Sequence, residues 1–399
     1  MTTNTDIKKN ALIFVLLFGL ISALGDITYE GARSVYGNYL GILGASAITI
    51  GIVTGFGEFL GYVLRLVSGY FIDRTRNSWI VAILGYTMLI SVPLLAMAGN
   101  WQIAALFIIL ERIGKAIRSP GKDTMLSFAT KPLGTGVCFG ISEALDQIGA
   151  IIGPLIFTLA LIYGGKYKLG FQLMWIPAIL VVIVVLYTRN KYPKPAYFEE
   201  NIEGCRNIAQ NKNVSTKQLS KSFMYYSLFI FFSVLGFSNY PIISYHLISQ
   251  KVLSEALIPT FYAIAMAVDG VFAVFIGKYY DKKGFISLVL IPLLSVPVAV
   301  FGFSANSILA MMSIILWGCI MSIHETIMRA TVADITTISN RGKAYGFFNT
   351  IYGIAMFLGS AIMGYLYEYH LHYIFIYVIL IEIFALMIFV LFKRVSIKE

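Results

Sequence analysis

The residues of this 399-residue chain that could do chemistry are charges set inside apolar stretches. Asp26, Glu30 and Arg33 recur at i, i+4 and i+7, which puts them on one face of a helix. Glu111, Lys115, Arg118 and Lys122 form a second stripe, with Arg112 beside it, and Glu143 and Asp146 share a face of a third helix. In an apolar medium burial favours the neutral acid, while a neighbouring guanidinium favours the carboxylate. Competition between the two sets up a carboxyl group that can take and release a proton. Asp26 and Asp146 are the leading expected proton carriers, followed by Glu143 and Glu30. Arg112 is the expected counter-ion of Glu143, Asp146 or Asp26. Arg33, Glu111, Lys115 and Arg118 are expected as buried ion-pair or substrate contacts. The competing reading is a static ion-pair network that only locks helices together.

The elements that must hold these charges follow from composition. Apolar residues make up 58% of the chain and charged residues 13%, against about 25% charged in an ordinary soluble domain. Mean hydropathy is +0.79. A soluble enzyme and a disordered chain are excluded, because a water-surrounded globule needs a polar skin. The three cysteines, Cys138, Cys205 and Cys319, are far apart and suggest no disulfide scaffold. A spanning helix needs about 20 apolar residues. Twelve such stretches are expected, at 11–39, 45–72, 79–98, 101–125, 136–163, 170–189, 222–249, 258–280, 285–304, 307–335, 343–369 and 372–393. The fold class is thus all-α integral membrane. At about 1.5 Å per residue, Glu111, Arg112 and Asp146 come out near the midplane, with Asp26 slightly above it. The Ala23-Leu24-Gly25 run is read as part of the first span and not as a signal-peptide cleavage site.

Topology follows from the basic residues. With both termini inside, the inner segments hold Lys8, Lys9, Arg74, Arg76, Arg189, Lys191, Lys282, Lys283, Lys393 and Arg394 among others, and the outer loops only Lys166, Lys168 and Lys251. That asymmetry is the positive-inside pattern of a cell-membrane protein. It explains most of the net charge of +10 without nucleic acid. Residues 190–221 form the longest polar stretch and read as a linker between a first half, 1–189, and a second, 222–399.

The halves repeat. Gly69-Tyr70-Phe71-Ile72-Asp73-Arg74 returns as Gly277-Lys278-Tyr279-Tyr280-Asp281-Lys282, offset by 208. Ser22-Ala23-Leu24-Gly25 returns as Ser233-Val234-Leu235-Gly236, offset by 211. A duplicated set of six spans implies parallel repeats about an axis along the membrane normal.

On these residues the chain resembles the major facilitator superfamily. Gly69, Asp73, Arg74 and Arg76 lie in the frame of that family's loop signature between spans two and three, although Thr75-Arg76-Asn77 departs from its tail. Gly277, Asp281, Lys282 and Gly284 form the second copy. The resemblance implies two six-helix halves, and gating loops in which Asp73 and Arg74 latch onto the other half. It also implies that spans one, four and five touch the central cavity. The run from Glu111-Arg112-Ile113-Gly114-Lys115 to Pro120-Gly121-Lys122-Asp123 resembles an E-R-x-G-K-x-x-R-x-P-x-x-D pattern of a bacterial and archaeal branch. Asp26 and Glu30 look like that branch's D-x-x-x-E pair. Gly149-Ala150-Ile151-Ile152-Gly153-Pro154 resembles the antiporter motif G-x-x-x-G-P, without its trailing Gly-Gly.

Other charges are read more plainly. Glu30 and Arg33 could gate the outer side, and Arg118, Lys122 and Asp123 should snorkel to the inner side. Glu58 shares a face of span two with Arg65, and its setting among Gly55, Gly57 and Gly61 supports close helix packing equally well. Glu325 and Arg329 are expected to pair. Tyr29, Tyr240, Asp269 and His324 are candidate cavity-lining residues, and the aromatic span seven is a candidate cavity wall for an amphiphilic solute.

The function these features imply is secondary active transport by alternating access, with proton-coupled export of a small organic compound as the leading form. Uptake of an organic anion or siderophore, held by Arg112, Lys115 and Arg118, is the alternative. A membrane enzyme or a non-transporting receptor is disfavoured: no HExxH, G-x-S-x-G, P-loop or metal-spaced His/Cys set occurs. No metal or organic cofactor is expected, only the proton as coupling ion. The expected partners are a small-molecule substrate and the lipid bilayer, with the protein a monomer.

Overall fold

The computed structural model describes residues 4–75, 77–164, 166–200, 220–336 and 341–396. Ten helical segments within it are long and apolar enough to cross a membrane. One of these, Leu257–Gly302, reverses direction at Gly284 and so supplies two spans. Trp101–Phe128 is long enough, at 28 residues, but carries too many charges to pass as apolar. Together these give twelve spanning helices among the described residues. Helices satisfy their own backbone groups, which is what the hydrocarbon layer demands.

We label them α1 (Asn4–Arg33), α2 (Ala47–Thr75), α3 (Ser78–Met97), α4 (Trp101–Phe128), α5 (Thr135–Gly164), α6 (Tyr167–Lys191), α7 (Lys221–Ser249), α8 (Leu257–Lys283), α9 (Leu290–Gly302), α10 (Ser307–Asp334), α11 (Arg341–Tyr369) and α12 (Leu371–Ser396). Local chemistry sets several boundaries. Asn100 caps α4 by accepting from the Ile103 amide at 2.9 Å, and Asn306 caps α10 through the Ile308 amide at 2.8 Å. Gly284 ends α8 at φ +60°, a backbone state that side chains disfavour. Two helices are broken. α7 is interrupted at Gly236–Asn239, ahead of Pro241, and α10 at Thr326.

The packing repeats between halves. α1 lies on α5 and α6, α2 on α4, and α3 on α4 and α6; α7 likewise lies on α11 and α12, α8 on α10, and α9 on α10 and α12. The halves meet along α2–α11 and α5–α8. Small residues allow these approaches. A Cβ on Gly149 would sit 3.1 Å from the Ala23 carbonyl carbon of α1, and one on Gly359 would sit 3.1 Å from the Leu235 carbonyl carbon of α7. A Cβ on Gly153 would lie 2.8 Å from the Gly31 amide nitrogen. The two glycines of the antiporter-like motif therefore seat α5 on α1.

The two ends of the bundle differ. At the end away from the turn at Gly284, the halves are sealed. There the Glu368 carboxylate caps α2 by accepting from the Ile48 amide at 3.0 Å, and Thr158 meets Thr260 at 3.0 Å. A Cβ on Gly37 would come within 2.8 Å of Ser244 Oγ, across the start of α7's second segment. At the end bearing the turns near residues 76 and 284, a central cavity opens. We call this the loop face.

Candidate functional site

The cavity encloses about 220 Å³ between the halves, and charged residues dominate its lining. Its first-half wall comes from α1, α2, α4 and α5, with Tyr86 of α3. The sequence folds this wall by letting long charged side chains pass over glycines. A Cβ on Gly57 would lie 2.9 Å from Arg112 Cγ, so the arginine stem crosses α2 there and its head reaches the next residue, Glu58. Gly85 and Gly114 bring α3 against α4 at the level of Arg118.

Glu58 is the centre of an ion-pair lattice. One of its oxygens lies 3.1 Å from both Arg33 Nη2 and Arg112 Nη2. Arg33 also approaches Glu30 at 3.5 Å, and Lys115 reaches the other Glu30 oxygen at 3.6 Å. Glu111, fully buried, sits 3.8 Å from Arg112 and 3.6 Å from Arg118. Lys122 pairs with Asp146. Tyr29 stands in the middle. Arg112 donates to its hydroxyl, Lys115 Nζ lies 3.6 Å from its ring centroid, and the Arg112 and Arg33 guanidinium carbons lie 4.7 and 5.8 Å away. An electron-rich ring and shared carboxylates let these cations crowd together in a low dielectric.

Several sequence expectations are corrected here. Arg112 is the counter-ion of Glu58 and Glu111, and Asp146 has taken Lys122. Arg118 does not snorkel: it is 5% exposed and turned onto Glu111. Lys122 likewise points into the cavity, whereas Asp123 is exposed at its mouth. Glu58 is the hub of the lattice, and Gly55 beside it packs on α11, where a Cβ would lie 3.0 Å from Phe357 Cα. Glu30 and Arg33 are buried at the deep end of the cavity, so they are no water-exposed gate pair.

The second-half wall is different. It consists of Met266, Asp269, Met321, Glu325, Arg329, Tyr352 and Met356. No α7 residue lines the cavity, which corrects the expected aromatic wall. Tyr240 is buried instead, donating to the Ile258 carbonyl at 2.7 Å and packing on Tyr262 and Trp317. His324 stands behind the lining, 3.0 Å from the Tyr352 hydroxyl. Glu325 and Arg329 form no ion pair within 4.0 Å, because α10 breaks at Thr326 between them. Asp269 lines the cavity and is 3% exposed.

One residue that sequence reasoning missed joins the halves. Tyr262 of α8 donates to Glu30 of α1 at 2.6 Å. Nothing in the spacing of α8 singles it out among the aromatics there. Asp26, Glu143, Asp269 and Glu325 line the cavity, yet none forms an ion pair with a described residue. Arg65 lies over the Tyr62 ring at 4.9 Å.

At the loop face, Arg74, Asp281 and Lys282 are exposed, and no ion pair involves them among the described residues. A Cβ on Gly69 or Gly277 would meet open space. The Asp73 side chain and Arg76 lie outside the described residues, as does linker segment 201–219.

The sequence profile of the Major Facilitator Superfamily matches residues 11–335 and 325–399. The chain belongs to that superfamily. A Mycobacterium tuberculosis protein described as uncharacterized is 38% identical over 376 residues, covering 94% of this chain and 91% of its own. An uncharacterized MFS-type transporter of Methanocaldococcus jannaschii is 28% identical, covering 91% and 89%. Among solved structures, a bacterial homolog of the human lysosomal transporter Spinster, inward-facing and unoccupied, superposes with a TM-score of 0.76. It is 14% identical, with 97% of this chain and 98% of that one covered. A POT family transporter bound to a thioalcohol-conjugated peptide gives 0.71 at 15% identity, with 96% of each covered. At such identities the likeness is one of fold. This superfamily member is a multi-pass membrane transporter of small molecules and not an enzyme.

Proposed function

We propose that this transporter exports a small organic compound in exchange for protons, by alternating access. The observation that carries the reading is a set of cavity carboxylates that form no ion pair among the described residues: Asp26, Glu143, Asp269 and Glu325, with Asp123 at the mouth. A carboxylate at mid-bilayer is costly unless paired or protonated. The lattice around Glu58 is already occupied by cations, so the carboxylates outside it are the groups whose charge can change. Protonating them alters the energy of one orientation of the halves relative to the other.

The loop face is the cytoplasmic face by its basic residues, so both termini are cytoplasmic and this state is inward-open. Its resemblance in fold to an inward-facing neighbour supports that reading. The disengaged Arg74, Asp281 and Lys282 fit gating loops that latch only when this face closes. The protein works as a monomer in the cell membrane, with the proton as its coupling ion. Anion uptake gains less support, since Arg112 and Arg118 are paired with Glu58 and Glu111, and Lys115 with Glu30.

Purified protein in liposomes with an internal pH dye tests this. A solute gradient should drive protons the opposite way across the membrane. Movement of proton and solute in the same direction, or solute flux without protons, would overturn the reading.

A further inference from the structure

Three of the unpaired carboxylates converge from three helices of both halves: Glu143 on α5, Asp269 on α8 and Glu325 on α10. A Cβ on Gly270, next to Asp269, would lie 3.3 Å from Gln147 Cδ, so α5 and α8 meet beside Asp269, and the three carboxylates line one cavity. Glu143 shares the lining with Glu325, Asp146, Lys122 and Arg329. Of the cations in that lining, Lys122 is held by Asp146, which leaves Arg329 and the Tyr62-stacked Arg65 outside any ion pair among the described residues. Like charges in a low dielectric repel strongly. A proton or another cation that neutralises the trio relieves this repulsion across the interface between the halves. Asp269 is 97% buried, aimed into the cavity, and matched there by no basic side chain. The lining beside it is Met266, Met321 and Met356, a soft apolar surface on the same wall.

We infer that Glu143, Asp269 and Glu325 bind a compact organic cation, its charge on the carboxylates and its aliphatic part on the three methionines. The inference rests on the antiport reading and gives it a physical basis. Cation and protons compete for the same carboxylates, so the arrival of one expels the other. The cavity volume of about 220 Å³ suits a solute of small-metabolite size. An anion is disfavoured because the cations on the opposite wall are already engaged.

The test uses four-carbon probes that differ in charge: butylammonium, butyltrimethylammonium, butyramide and butanoate. Thermal stability of the full chain in detergent reads binding with no gradient present. The two cations should raise the melting temperature, more strongly at about pH 8 than at about pH 6 because fewer protons compete. Butyramide and butanoate should not. Glu325→Gln and Glu143→Gln, each at an exposed position, should weaken cation binding about tenfold and flatten its pH dependence. Arg329→Gln should strengthen it, a sign that general damage to the fold would not produce. A shift with butanoate alone, no shift with either cation, or cation binding unchanged in both glutamine variants would overturn the inference. Liposomes loaded with butyltrimethylammonium, which cannot carry a proton through lipid, separate the two readings. Cation binding without proton movement would keep the site and remove antiport. Proton movement driven only by butanoate would keep coupling and remove the cation site.

Discussion

The two walls of the cavity are built from repeats of one another and yet do opposite things. The first-half wall is a closed lattice in which Glu58, Glu30 and Glu111 are shared among Arg33, Arg112, Lys115 and Arg118 around Tyr29. The second-half wall has three charges without ion pairs, three methionines and Tyr352. At the offset of 208 that aligns Gly69 with Gly277, Glu58 falls on Met266 and Gly61 on Asp269. The hub of the lattice is thus apolar in the second half, and the buried cavity acid Asp269 falls on a glycine in the first. A saturated network resists any change of charge, because each carboxylate already has its cations. The open wall can respond. The comparison teaches that the fold is symmetric where helices pack, and that the symmetry is broken in the charges that line the cavity.

Four experiments would break or sharpen that contrast, and the largest effect should come from its symmetric part. Gly149→Val and Gly359→Val each drive side-chain atoms into a neighbouring backbone, so both should abolish correctly folded protein, read as a monodisperse peak after detergent extraction. Loss in one half only would show that the packing symmetry is superficial. Next, Glu58→Gln leaves Arg33 and Arg112 facing a neutral amide. It should cost about 3–5 kcal/mol, as a broken buried pair does, seen as a large fall in melting temperature. The matching Met266→Gln should cost much less. Asp26→Asn leaves the lattice intact and should lower solute-driven proton flux about tenfold or more, with little change in stability; unchanged flux would take Asp26 out of the coupling set. The smallest effect belongs to Tyr262→Phe. It removes one hydrogen bond to a carboxylate, worth about 1.5–3 kcal/mol. Because that bond joins the halves near the sealed end, its loss should shift the population toward the outward-open state, measured by spin-label distances across the loop face.

Much of the fold was legible because a bilayer imposes simple rules on sequence. Length and hydropathy marked the twelve spans, and the recurrence of Gly69-to-Arg74 marked the repeat. The charges on α1, α4 and α5 announced a buried site through helical spacing alone. Their partners were not legible. Spacing along one helix says which residues share its face, but not which face of another helix they meet. Arg112 found Glu58 because Gly57 lets its stem cross α2, and that crossing depends on how α2 and α4 are docked. The aromatic wall failed for a similar reason: α7 is rich in rings, but its packing on α11 and α12 turns them away from the cavity.

The sequence by itself determined a membrane-spanning duplicated bundle, the face bearing its basic loops, and a first half loaded with buried charge. These are properties of composition and periodicity, which hydrocarbon reads one segment at a time. Only the tertiary structure decided which charges cancel and which remain. Cancellation depends on distances of a few ångströms between helices far apart in the chain, and Tyr262 reaching Glu30 across 232 residues is such a contact.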